Sequence, residues 1–117
     1  MPNPVIHWQM LSKNPDASAS FYTELFGWSV AAPDPLGYRR VDTGTSEGIQ
    51  GGIWPSPPEA HSFVQLHVQV EDCDAAVAKA NELGATTIMP PQTLPQGERM
   101  AVLLDVEKVP FVILQPA

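Results

Sequence analysis

Val5-Ile6-His7-Trp8-Gln9-Met10 and Phe63-Val64-Gln65-Leu66-His67-Val68-Gln69-Val70 are two versions of one pattern, and their reading decides the fold. In the first, Ile6, Trp8 and Met10 alternate with His7 and Gln9. In the second, Val64, Leu66, Val68 and Val70 alternate with Gln65, His67 and Gln69. Side chains of a strand point to opposite faces with a period of two. Each stretch is therefore expected to be a strand whose apolar face packs on a core. The other face carries imidazole and carboxamide groups and no charge. A solvated face of this length would normally carry Lys, Glu or Thr, so this one is expected to look into a small-molecule cavity.

Working outward, each strand leads to a helix start. Asn14 suits an N-cap, Pro15 the first helical position and Asp16 the first turn, with Gly27 ending the helix after Phe26. Phe21 with Leu25 and Tyr22 with Phe26 give it an apolar stripe. After the second strand, Asp72 is the matching cap, Asp74 lies in the first turn, and Gly84 closes a helix over 75–83. Strands are expected near 28–31, 38–42 and 49–54 in the first half, and near 86–89, 100–104 and 109–114 in the second. Pro90-Pro91 falls in a loop between strands. The halves register at a constant offset of 58 residues: Asn14 on Asp72, Asp16 on Asp74, Glu24 on Glu82, Leu25 on Leu83. At that offset His7 falls on Gln65 and Gln9 on His67. A fixed period marks duplicated units, here β-α-β-β-β twice, as modules of about 1–56 and 61–117 in one 117-residue domain. If a local two-fold relates them, His7 and His67 face one concavity, and two imidazoles there can bind a transition metal.

Composition bounds the function. Thirteen acids against six bases give a net charge of −7, which argues against a nucleic-acid or anionic-membrane surface. No apolar run approaches a membrane span, and no basic-then-apolar leader is evident, so a cytoplasmic location is expected. Thirteen prolines and eight glycines favour strands and turns over long helices. The single Cys73 has no disulfide partner, and without a placed His it is not expected to be a nucleophile. Trp8 and Trp28 read as core aromatics, His61 as a solvated turn residue, and Trp54 as either a cavity-mouth residue or a packing contact. Asp42, Glu47 and Asp105 fall at strand ends or turns, away from the cavity strands.

Phe21-Tyr22-Thr23-Glu24-Leu25-Phe26-Gly27-Trp28, Gly51-Gly52-Ile53-Trp54-Pro55, Val70-Glu71-Asp72 and Leu104-Asp105 with Phe111-Val112-Ile113-Leu114-Gln115-Pro116 carry a family resemblance. Through them nearly the whole chain resembles the vicinal oxygen chelate superfamily: glyoxalase I, bleomycin-resistance proteins and extradiol dioxygenases. The resemblance implies an α+β fold of two βαβββ modules forming an incomplete curled β-barrel with helices outside. It also implies homodimers, and a metal held by one residue on the first strand, one late in the first module, one on the first strand of the second module and a glutamate on the last strand. Here those positions fall on His7, near Gln50, on Gln65 with His67 two residues along, and on Val112 where a carboxylate is expected. Valine cannot ligate a cation. The expectation is a small-molecule-binding protein with His7, Gln9, Gln50, Trp54, Gln65 and His67 at the ligand and no complete metal site. The alternative is a metal-dependent lyase, isomerase or dioxygenase holding Ni, Zn, Fe or Mn through a non-standard set that includes His7 and His67.

Overall fold

Local sequence chemistry sets the element boundaries in the computed structural model, which describes residues 2–117. Eight strands and two helices follow in the order β1 (Val5–Ser12), α1 (Pro15–Phe26), β2 (Ser29–Val30), β3 (Arg39–Asp42), β4 (Gly51–Pro55), β5 (Phe63–Gln69), α2 (Cys73–Glu82), β6 (Thr86–Thr93), β7 (Arg99–Leu104) and β8 (Pro110–Gln115). This is the expected α+β class with β-α-β-β-β written twice. The residues fall into two compact units: His7–Gln65, and Leu66–Ala117 together with the segment up to Ile6.

In the N-terminal unit the strand order is β2-β3-β4-β1, with β1 parallel to β4 and the other neighbours antiparallel. Asn14 caps α1 by accepting the Ala17 N–H at 3.1 Å, and Pro15 opens the helix where a missing N–H costs nothing. Gly27 closes it at φ 74°, a left-handed cap that favours glycine, and donates its N–H to Thr23 at 3.0 Å. Arg39 leaves β3 toward α1 and pairs with Asp16. Trp8, Gly51 and Ile53 share that helix-facing side. A run of rings, Trp8 on Trp28 at 5.4 Å and Trp28 on Tyr22 at 5.4 Å and Phe26 at 5.2 Å, ties β1 to α1. The expected apolar stripe of α1 is not a core stripe. Phe21 is 56% exposed, Leu25 57% and Phe26 57%, and no residue of α1 is buried. The helix is held through the edge of its aromatic cluster and the Ser12–Ser18 hydroxyl contact at 2.7 Å instead.

The C-terminal unit repeats this plan as β5-β8-β7-β6, with β5 parallel to β8. Asp72 caps α2 by accepting the Ala75 N–H at 3.1 Å, the counterpart of Asn14 at the offset of 58. Asp74, one helical position from its start, holds Arg99 of β7 through two hydrogen bonds of 2.6 and 2.9 Å. A first-turn aspartate bonded to an arginine of the third strand thus occurs in both units. Cys73, Val77, Ala101, Leu103 and Ile113 form the core between α2 and its sheet, with Val70 and Phe111 packed against them. Pro90 and Pro91 do not interrupt β6 as expected. The strand runs on through them to Thr93, with one register shift between Thr87 and Met89 and a second, between Met89 and Gln92, that spans the prolines and accommodates their missing donors.

The two-faced reading of β5 needs correction. Gln65 and His67 are each 6% exposed, whereas Val64 is 54% and Leu66 49% exposed. The register explains the apolar side: Val68 pairs with Ile113, a core residue under α2, and Val70 follows it into that core. Gln9 on β1 is likewise buried, 8% exposed. The polar groups therefore sit in a drier setting than the alternation alone suggested.

Candidate functional site

The β1–β4 register, Trp8 opposite Gly51, fixes which side chains share a face in the N-terminal unit. Trp8 lies over Gly51 on the helix side, so His7 and Gln9 point to the other side. Between β3 and β4, Arg40 lies opposite Gly52, and between β2 and β3, Ser29 lies opposite Asp42. Ala31 joins the row through its N–H bond to the Arg40 carbonyl at 2.9 Å. These residues line an open cavity of about 630 Å³ with His7, Ser29, Ala31, Arg40, Asp42 and Gln50 around Val30, Val41 and Gly51.

Within it the polar groups have separate jobs. The Gln50 carboxamide accepts the Thr43 N–H at 2.6 Å and donates to the Thr45 carbonyl at 3.1 Å, so both its ends brace the turn between β3 and β4. Asp42 accepts the Gly44 N–H at 2.8 Å, tying one carboxylate oxygen to the same turn. His7 is half-buried. Arg40 is exposed to the cavity. On the same side, Tyr38 covers Gly52: a Cβ there would lie 2.2 Å from the phenol ring, so only glycine fits. Burial pushes the Tyr38 phenol above its ordinary value, and the neighbouring Arg40 charge only partly opposes it. Trp54 packs on Tyr38 at a centroid distance of 4.8 Å, which makes it a packing contact.

Of the residues expected from sequence, His7 and Gln50 meet at this cavity. Gln9 and Gln65 are buried on β1 and β5, and Trp54 lies against Tyr38. In the C-terminal unit His67 stands opposite Val112, itself 1% exposed. Arg40, Ser29 and Asp42 were missed. Asp42, expected away from the cavity at a strand end, lines it as the last residue of β3. The signal for Arg40 and Asp42 was the same period of two, Tyr38-Arg40-Asp42 against Arg39-Val41, but it needed the β3–β4 register to say which set faces the cavity. Cys73 is fully buried, and burial first, then Asp74, push its thiol up.

The donors present do not suit the metal that the superfamily pattern implies. Among the described residues no group of three or more His, Cys, Asp or Glu converges. Gln50 is committed to the turn at both ends, and an apolar, buried Val112 occupies the place of the carboxylate. A His and carboxamide set without an anionic ligand holds a divalent ion weakly.

The fold and cavity define a glyoxalase-type βαβββ protein, and comparison with known proteins agrees. Residues 8–114 match the model of the family described as "Glyoxalase-like domain". The chain belongs to that family, within the vicinal oxygen chelate superfamily. It is 30% identical over 112 residues to a protein carrying the provisional name glyoxylase CFP32, from Mycobacterium tuberculosis and Mycobacterium bovis. That match covers 93% of this chain but 42% of the relative, so the chain spans well under half the length of the curated proteins it matches. Among solved structures, an NAD-dependent benzaldehyde dehydrogenase from Legionella pneumophila superposes with a TM-score of 0.67 at 22% identity, covering 99% of this chain and 100% of that one. Streptomyces coelicolor methylmalonyl-CoA epimerase superposes at 0.64 with 18% identity over 100% and 96%. At these identities the likeness is one of fold. No helix among the described residues is long and apolar enough to cross a membrane.

Proposed function

We propose that this domain binds a small organic molecule in the strand-lined cavity of its N-terminal unit, with His7 as a polar contact and without a complete standard metal site. The observation that carries the reading is the cavity itself: about 630 Å³, open to solvent, lined by aliphatic side chains with a few convergent polar groups. That combination is the usual make-up of a small-molecule site. The absence of a carboxylate at position 112 and the commitment of Gln50 to its turn support the metal-free part.

Two measurements test it. A thermal-shift screen of small organic compounds is run on the wild type and on Ala31→Trp, a substitution at an exposed cavity residue that fills the space. A ligand at one hundred times its dissociation constant stabilises by about 2.7 kcal/mol. Compounds that raise Tm in the wild type should lose that effect in Ala31→Trp; hits indifferent to the substitution, or no hits, would reject the cavity as the site. Elemental analysis after metal-replete purification tests the rest. One equivalent of Ni, Zn, Fe or Mn, lost in His7→Ala or His67→Ala, would replace this reading with that of a metal-dependent lyase, isomerase or dioxygenase.

A further inference from the structure

Of the three arginines in the chain, two are already held: Arg39 by Asp16 and Arg99 by Asp74, each aspartate in the first turn of its unit's helix. Arg40 follows Arg39 directly, and the alternation of β3 turns it the other way, into the cavity beside Ser29, Ala31 and His7. No ion pair among the described residues engages it. Asp42, two residues along on the same face, also lines the cavity, and its Oδ1 accepts the Gly44 N–H at 2.8 Å. No lysine and no other arginine lines this cavity.

This placement matters because the chain as a whole carries a net charge of −7 and repels anions at long range. That repulsion is screened beyond about 8 Å at physiological salt. Inside the cavity the nearest formal charge decides, and an arginine fork matches the planar geometry of a carboxylate through two parallel hydrogen bonds. Val30, Ala31 and Val41 offer aliphatic surface for the carbon part of the same molecule, and the Ser29 hydroxyl offers one further donor.

We propose that the cavity selects small organic acids, with Arg40 receiving the ligand's carboxylate; this rests on the cavity being the binding site. The test uses matched acid and amide pairs, benzoate with benzamide and isobutyrate with isobutyramide, titrated at neutral pH into the 15N-labelled full chain. Amide shifts are followed in the wild type, Arg40→Gln and Arg40→Lys. Each acid should shift Ser29, Val41, Asp42 and Gly51 and bind at least about tenfold more tightly than its amide, the difference one charge-assisted pair supports. Arg40→Gln should bring acid and amide to parity, and Arg40→Lys should keep part of the preference. Acids and amides binding the cavity equally in the wild type would overturn the acid selectivity while leaving the cavity as the site. Preference for the acid that survives in Arg40→Gln would overturn the role of Arg40. Shifts confined to other parts of the chain, or none from any of the four probes, would overturn both this inference and the binding reading beneath it.

Discussion

Gly51→Ala should destabilise the protein far more than one methyl on a strand ordinarily does. A Cβ at position 51 would lie 2.2 to 2.3 Å from three atoms of the Trp8 ring. Carbon atoms in contact need about 3.5 Å, so the indole must retreat by more than an ångström. It has little freedom to do so. Its Nε1–H donates to the Ile49 carbonyl at 3.0 Å, and its ring packs on Trp28 at 5.4 Å. Overpacking of this kind costs about 1–3 kcal/mol, and loss of the indole bond adds about 1 kcal/mol. The lower backbone entropy of alanine returns about 0.5–1 kcal/mol. The net expectation is a loss of about 1–3.5 kcal/mol, read as a shift in the urea midpoint at unchanged m-value by far-UV circular dichroism. The same substitution in a Trp8→Leu background should be close to neutral, because the obstruction is gone. A cost below about 0.5 kcal/mol in the wild type, or an equal cost in both backgrounds, would refute the ring-on-glycine contact as its source.

The remaining predictions test the repeat, the charge pairs and the core. Asn14→Ala and Asp72→Ala should each cost about 1 kcal/mol, and Asn14→Ser should restore most of the loss; a null effect at one cap only would break the equivalence of the units. Arg99 beside Asp74 holds that carboxyl below its ordinary range, so the stabilisation is present above the unfolded value and disappears as the proton returns. The stability difference between wild type and Asp74→Asn should accordingly be constant near neutrality and shrink between about pH 5 and about pH 2, in chemical denaturation across that range; a pH-independent difference would contradict the assignment. Cys73, fully buried with its thiol pushed up, should react with a disulfide reagent only at the rate of unfolding, and Cys73→Ser should cost about 1–3 kcal/mol for its buried hydroxyl. Gln50→Ala should cost about 1–2 kcal/mol by freeing two backbone groups of the β3–β4 turn, visible as faster hydrogen exchange at Thr43.

What the sequence disclosed and what it withheld divide along the range of the interactions. The helix starts were legible because caps are local: Asn14 and Asp72 each act on an N–H three residues away. The duplicated β-α-β-β-β order was legible because the caps and strand faces recur at one offset. The face of β5 was misjudged because alternation says which residues share a side but not how far along the strand that side is covered; Val70 packs against the core under α2, whereas Val64 and Leu66 are exposed. Gln50 lines the cavity of the N-terminal unit, but its bonds to Thr43 and Thr45 depend on the conformation of a turn that composition alone does not set. Arg40 was invisible for a related reason. Adjacent arginines of β3 have opposite fates, one anchored on α1 and one in the cavity, and only the pairing of β3 with β4 decides between them.

The two prolines carried inside β6 have a consequence for how this chain behaves when crowded. β6 is the outermost strand of its unit, where a stray polypeptide would otherwise add itself as the next rung. Two consecutive positions there lack an amide hydrogen, and the irregular spacing around them spoils any continuous zipper. Concentrated solutions should therefore resist fibril growth from that border, a protection written into the covalent structure and independent of pH or salt.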